Sequence, residues 1–456
     1  MVSRVRESAA PAYLLACLFL GGSGQGIWAN MLLQLFGLAL IAWAALAPAP
    51  ERMPGEQRQL FILALLSLIV VLIQLVPLPP DLWQDLGPRK MIADGYRVLG
   101  LAPPSQSLSV APYDSLSSLL SFIPALAMLA ATLRLGARPL LLVIALVAGT
   151  LAGVLLGALQ VTAGDPSSAP WYLYEDTNYG VATGFFANAN HMATLLVICL
   201  PFLAATLARA GSKGRDVQRF SAGVALAVGA AVVIAVGIAL NGSLAGYGLA
   251  VPVLFGSALI VLPNRSGAFR WLVPLAAVLL IASVGWLATT PLSSGDVLRA
   301  NAQTSVQSRE EILRNSTSAA ADFMPWGSGL GSFSRIYAVY EDHDRLDPTT
   351  SVNHVHNDYV EVALETGVPG LIVLALFLLW WFRAAWRAWT APEPDPYARA
   401  AAVASLAILI HSVVDFPLRT AAIGACFAMC LALLVRVRSE ATEEPLLRPT
   451  RHVVVD

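Results

Sequence analysis

The chain has 456 residues, of which 57% are hydrophobic and only 12% charged, with a net charge of −1. That is about half the roughly 25% charged of a soluble protein, and the mean hydropathy of +0.67 agrees. The composition excludes disorder, collagen, coiled coil and a secreted disulfide scaffold, gives no basic excess for nucleic acid, and leaves an all-α polytopic membrane protein.

A bilayer core of ~30 Å takes about 20 apolar residues per helix. Twelve stretches qualify, at residues 8–22, 27–48, 59–77, 115–133, 139–161, 187–208, 220–240, 244–262, 271–289, 368–385, 400–414 and 419–435. Lipid offers no partner to an unpaired backbone group, so each is expected to be helical. Arg4 and Arg6 ahead of the first stretch fit a retained signal anchor. With the N-terminus inside, the short inner loops carry Arg134 and Arg138, Arg209 to Arg219, Arg265 and Arg270, and Arg383 to Arg399. The short outer turns 23–26 and 241–243 carry no Lys or Arg. This is the positive-inside pattern, and it puts both termini in the cytoplasm. The chain reads as one integral membrane domain, 1–456, with outer loops at 78–114 and 290–367 and a cytoplasmic tail at 436–456. Cys17, Cys199, Cys426 and Cys430 all lie in apolar runs without metal-ligand spacing, and read as small core hydrophobes.

Four polar clusters stand out, all on the outer side by this topology. The first to be met, Asn188-Ala189-Asn190-His191, precedes the sixth span; an ordinary helix N-cap is the alternative reading. In the long loop before the tenth span, Ser308-Arg309-Glu310-Glu311 fits a capping box and predicts a helix start. Downstream, Gly327, Gly329 and Gly331 alternate, but no strand and helix frame them as in a dinucleotide fingerprint. Arg309 and Arg335 in this loop suit phosphate, against the plain alternative of solvated side chains. The densest cluster is His354-Val355-His356-Asn357-Asp358-Tyr359, followed by Glu361 and Glu365. His356, Tyr359, Val360 and Ala363 recur at helical spacing, predicting a short amphipathic helix with His356 near its start. An imidazole here can accept a hydroxyl proton near neutral pH. The His-x-His spacing has no evident third and fourth ligand for a metal. Lastly, His411, Asp415 and Arg419 lie between the last two spans. Ionisable groups at membrane depth are costly and point to function; His411 and Asp415, four apart, would share a helix face.

These residues resemble the O-antigen ligase and polymerase family of bacterial inner-membrane proteins. The resemblance runs over about 180–435, through Phe186 to His191, Ser308-Arg309, Pro325 to Phe333, His356 to Glu361, Glu365 to Gly370, and His411 to Arg419. It implies a metal-independent glycosyltransferase without cofactor and with a GT-C-like fold. The donor would be a glycan on undecaprenyl diphosphate, and the acceptor a glycan or lipid hydroxyl on the periplasmic side. Membrane lipids and other polysaccharide-assembly proteins are the implied partners. On this resemblance His356 is the general base and Arg309 a diphosphate ligand. Asn188, Asn190, His191, Arg335, His354, Asn357, Tyr359, Glu365, His411, Asp415 and Arg419 line the substrate site. One departure is Leu244, where many members carry an Arg; Arg419 and Arg335 are the substitutes expected from their side of the membrane. Polymerase, ligase and protein O-glycosyltransferase share donor and loop His and differ in acceptor. The aromatic patch Trp171, Tyr172, Tyr174 and Tyr179 suits either sugar stacking or an interface belt. A transporter and a non-catalytic assembly component are the alternatives from other classes.

The orientation is testable directly. A reporter that fluoresces only in the cytoplasm should be bright when fused after Asp456 and dark when inserted into loop 78–114; the reverse pattern overturns the topology.

Overall fold

The computed structural model describes residues 2–24, 27–48, 53–163, 169–211, 217–262, 296–341 and 352–436. Within these the chain is almost entirely helical. The N-terminal helices are α1 (Val2–Leu20), α2 (Trp28–Leu46) and α3 (Gly55–Gln74). Residues 77–107 hold α4 (Pro80–Trp83), α5 (Arg89–Val98) and a minimal antiparallel ladder, β1 (Pro77–Leu78) with β2 (Gln106–Ser107). Next come α6 (Pro112–Ser121), α7 (Ile123–Arg134), α8 (Pro139–Thr162), α9 (Ala189–Gly211), α10 (Val217–Asn241) and α11 (Leu244–Val261). Residues 296–341 contribute α12 (Asp296–Asp322) and α13 (Phe333–Tyr340), and the last described helices are α14 (Asp358–Thr390), α15 (Pro396–His411) and α16 (Ala421–Leu434).

Among the described residues, eight helices are long and apolar enough to cross a membrane, α6 and α7 counting as one, and α15 and α16 are shorter apolar helices. The chain is therefore a multi-pass membrane protein. The ninth predicted span, 271–289, and nearly all of the predicted tail lie outside the described residues. Two expectations change in detail. The helix expected to start at Ser308 begins at Asp296: nothing in the Ala-, Gln- and Leu-containing run upstream breaks a helix, so the capping-box pattern sits in mid-helix. The amphipathic helix and the tenth span are one element, α14, bent where Gly367 takes φ 59°, ψ −153°.

The larger apolar core joins α1, α7, α8, α9, α15 and α16. All four cysteines are buried and free, as their apolar setting suggested. Helices α2, α3 and α10 leave Leu, Ile, Phe and Val side chains exposed, which in a membrane protein is the lipid-facing side. A second, smaller core lies beneath α12 and α13. It packs Ile312 and Ala319 of α12, Phe323 just after it, and Phe333, Ile336 and Tyr337 of α13 against Val355 and Leu364.

The glycine-rich turn after α12 ties these parts together. Ser328 N and Gly329 N donate to the carbonyls of Leu364 and Glu365 at 2.8 and 2.9 Å, and Val368 N donates to Pro325 O at 2.8 Å. Gln74, at the end of α3, donates to Glu365 O at 2.8 Å and accepts from Leu330 N at 3.2 Å. Arg89, buried without a carboxylate, donates to Gly327 O at 2.6 Å and to Leu108 O, and stands over the Phe323 ring; desolvation lowers its pKa to about 10. The amides of Ser328 and Gly329 are thus occupied by carbonyls of α14. Gly327 and Gly367 both have positive φ. A Cβ on Gly327 would lie 2.5 Å from Glu365 O, and one on Gly367 would collide with Pro325 O.

Gly367→Ala should therefore destabilise the protein by about 2 kcal/mol or more, from backbone strain plus overpacking. Thermal unfolding in detergent reads this directly, with Gly95→Ala as the control because no atom lies within 4 Å of where its methyl would sit. Equal melting of the two variants would refute the clamp.

Candidate active site

The site forms where the starts of α9 and α14 meet the connection between α15 and α16. At its centre is Asp415, 1% exposed by side chain. Asn190 Nδ2 donates to Asp415 Oδ2, and Phe416 N donates to Asp415 Oδ1 at 2.9 Å. Asn190 is itself oriented from two sides. Its backbone N–H donates to the side chain of Asn188 at 2.8 Å, and its Oδ1 accepts from Ser243 Oγ at 2.7 Å. Ser243 also caps α11, accepting from Gly246 N at 3.1 Å.

Three imidazoles and one guanidinium approach this carboxylate. His356 Nδ1 stands 3.5 Å and His191 Nε2 3.8 Å from Asp415 Oδ1, and Arg309 Nη2 stands 4.0 Å from Oδ2. His411 is near and pairs its Nδ1 with Thr194 Oγ1 of α9 at 2.6 Å. Burial by itself would push the Asp415 carboxyl up; His356 beside it, then His191 and His411, outweigh burial and hold it well below the usual carboxylate range.

A second charge cluster adjoins the first. Arg419, in the 3-10 turn Pro417–Arg419, faces three carboxylates of α14. Its Nη2 lies 3.2 Å from Glu361 Oε1 and 3.3 Å from Glu365 Oε2, and its Nε lies 3.6 Å from Asp358 Oδ1. Burial opposes the charge on Arg419, but the carboxylates of Glu361, Glu365 and Asp358 outweigh it and keep the guanidinium firmly protonated. Asp358, Glu361 and Glu365 follow helical spacing and present one acidic face. Glu361 also accepts from Val355 N at 3.0 Å and pairs with His354 Nδ1 at 2.8 Å. Through Glu361 this cluster fixes the His354–His356 segment. Val355 is buried in the smaller core, while both flanking imidazoles lie against the ring of Phe416.

The predicted residues divide accordingly. Arg309, Asn190, His191, His354, His356, His411 and Asp415 converge. His356 is not in the first turn of a helix but precedes it, with φ 57°, and Asn357 is the N-cap, accepting from Tyr359 N and Val360 N. Tyr359 Oη donates to Leu409 O at 2.7 Å, tying α14 to α15. Glu365 and Arg419 lie within the ion cluster. Arg335 is paired with Asp114 on the surface, away from this centre. Thus Arg419 is surrounded by acid and Arg335 sits elsewhere, and Arg309 is the cation that faces Asp415. Leu244 is the first residue of α11 and partly exposed; its neighbour Ser243 makes the polar contact to the site. In the aromatic patch, Tyr172 and Tyr174 donate their hydroxyls to Val181 O and Phe185 O at 3.1 and 3.3 Å, and Trp171 is exposed. Sequence reasoning missed Glu361, Asp358, Phe416, Thr194 and Ser243 as site members. The i, i+3, i+7 carboxylates of α14 were a readable signal; the others become visible only through contacts distant in sequence. Among the described residues no group of three or more His, Cys, Asp or Glu side chains is arranged to hold a metal ion.

A buried carboxylate gathered with imidazoles and an arginine at the helix ends of a multi-pass membrane protein is the kind of cluster in which functional sites are found. Residues 229–375, about a third of the chain, match the family model described as O-antigen ligase. The chain carries a domain of the O-antigen ligase family over that stretch, which ties it to polysaccharide assembly. The matched region holds Ser243, Arg309, the glycine-rich turn, His354, His356 and the Gly367 bend. Asn190, His191 and the His411 to Arg419 connection lie outside it. No curated protein matches the chain.

Arg419→Ala leaves three carboxylates without their counter-charge and should cost about 3–5 kcal/mol. Arg419→Lys, which keeps charge but loses the fork, should fall between wild type and Ala in a detergent melting series. A melting point unchanged in Arg419→Ala would show that the cluster is not holding the outer ends of α14 and α16 together.

Proposed function

We propose that the protein is a glycosyltransferase of surface-polysaccharide assembly in the bacterial inner membrane. It takes a glycan from an undecaprenyl-diphosphate donor and passes it to a glycan or lipid hydroxyl on the periplasmic face. About twelve helices in a GT-C-like arrangement, with both termini in the cytoplasm, frame the reaction. The reading is carried by His356, whose side chain is 26% exposed while its Nδ1 stands 3.5 Å from the buried Asp415 carboxylate. A carboxylate beside Nδ1 favours the tautomer with its proton there and leaves Nε2 to accept one.

The acceptor oxygen attacks the anomeric carbon of the donor. A new carbon–oxygen bond forms as the bond from that carbon to the diphosphate oxygen breaks, and the electron pair leaves with the diphosphate. The hydroxyl proton passes to Nε2 of His356. Asp415, held by Asn190 and by the Phe416 amide, stabilises the imidazolium that results. Arg309 offers its guanidinium to the diphosphate, whose charge grows as it departs. The polar groups gather at helix ends and connections on one side of the helix bundle, which favours chemistry on an outer-leaflet substrate over a transport path at the bilayer midplane.

His356→Ala should stop product formation by at least about a hundredfold, the usual contribution of a general base, and lipid-linked precursor should accumulate. His354→Ala, at matched membrane expression in the same host cells, should retain more product. An unchanged surface-polysaccharide profile in His356→Ala would sink the base assignment.

A further inference from the structure

His356 has a conformation that nothing in its own segment explains. It is a non-glycine residue at φ 57°, a costly backbone state that persists only where the surroundings impose it. Its Nδ1 has no hydrogen-bond partner among the described residues, since 3.5 Å from Asp415 is too long for one. The ring is therefore oriented by packing and by charge. The packing comes from Phe416. Its ring centroid lies 5.0 Å from that of His356 at an interplanar angle of 63°, 5.1 Å from His191 at 82°, and 4.4 Å from His354 at 39°. One phenyl ring is the shared wall for three imidazoles, brought from α9 and from the segment before α14. The backbone N–H of Phe416 donates to Asp415 Oδ1 at 2.9 Å, so the residue that carries the ring also binds the carboxylate. Residues 415 and 416 present charge to one side of His356 and an aromatic surface to another.

We propose that Phe416 is a positioning residue for the transfer, holding the His356 imidazole in its reacting orientation and favouring the imidazolium that forms when it takes the acceptor proton. The proposal rests on the reading of His356 as general base. An aromatic ring attracts a cation that a leucine of similar bulk does not, and edge contacts between rings are directional. The other charged or titratable groups around His356 are Asp415 from the α15–α16 connection, Arg309 from α12, His191 from α9, His411 at the end of α15, and the His354–Glu361 pair with Arg419. Phe416→Leu adds and removes no formal charge among these groups, so the ring's share can be read without a change in net charge.

The test uses membrane vesicles from host cells whose own copy is replaced by a full-length variant. The cells' own lipid-linked glycan is the donor, and the rate of polysaccharide formation is followed against pH at matched protein levels. Phe416→Leu should lower the rate tenfold or more through misplacement of the base. Phe416→Tyr, which keeps the ring, should stay within about twofold of wild type. A Phe416→Leu protein with the wild-type rate and profile overturns the proposal. If that variant does not accumulate, Phe416→Met takes its place; if both fail while Phe416→Tyr accumulates, the ring serves folding and the proposal falls. His356→Ala in the same series separates the two ideas: full activity there removes the base reading itself, whereas its loss beside an unaffected Phe416→Leu removes only the role of Phe416.

Discussion

The seating of α14 against the α15–α16 connection depends on one buried guanidinium. Arg419 compensates Asp358, Glu361 and Glu365, three carboxylates that α14 presents on a single face. Without it these charges could not be packed against the 3-10 turn, since a buried carboxylate lacking a partner is strongly unfavourable. With it, Glu361 is free to hold His354 and the Val355 amide. The position of His356 follows from that anchoring. The cation that looked available for an anionic substrate is thus consumed by the architecture, and Arg309 is left to face the site.

The same economy applies to backbone groups. Irregular chain at membrane depth is tolerated only where its amides and carbonyls find partners within the protein. The bend at Gly367 and the glycine-rich turn solve this together, each supplying the other's hydrogen bonds, with Gln74 and Arg89 closing the remaining carbonyls. Two glycines with positive φ allow the two backbones to approach. The result is a rigid seat for α12 and α13, on which the smaller apolar core rests and from which the first turn of α14 projects toward the α15–α16 connection.

Most of the membrane architecture was legible in the sequence because lipid allows little else. Apolar runs of span length, such as 139–161 and 187–208, coincide with α8 and α9, and the four cysteines fall in the core as their neighbours suggested. The site was legible in part. Asn190, His191, His354, His356, His411 and Asp415 were singled out as unusual polar groups near membrane depth, and they do converge. Phe416 was not, because an aromatic residue beside an aspartate carries no signal until its ring is seen against three imidazoles. Arg335 was placed by side of the membrane alone, which says nothing of its partner Asp114.

The sequence by itself determined that this is a multi-pass helical membrane protein whose unusual polar groups fall at helix ends and connections, since hydrophobicity and charge are properties of local composition. Only the tertiary structure decided which charges neutralise each other and which remain for a substrate. Asn190 and Asp415 are 225 residues apart, and Arg419 meets Glu365 across 54. Pairings at such separations are set by how the helices pack, and no local pattern encodes the choice between one arginine and another.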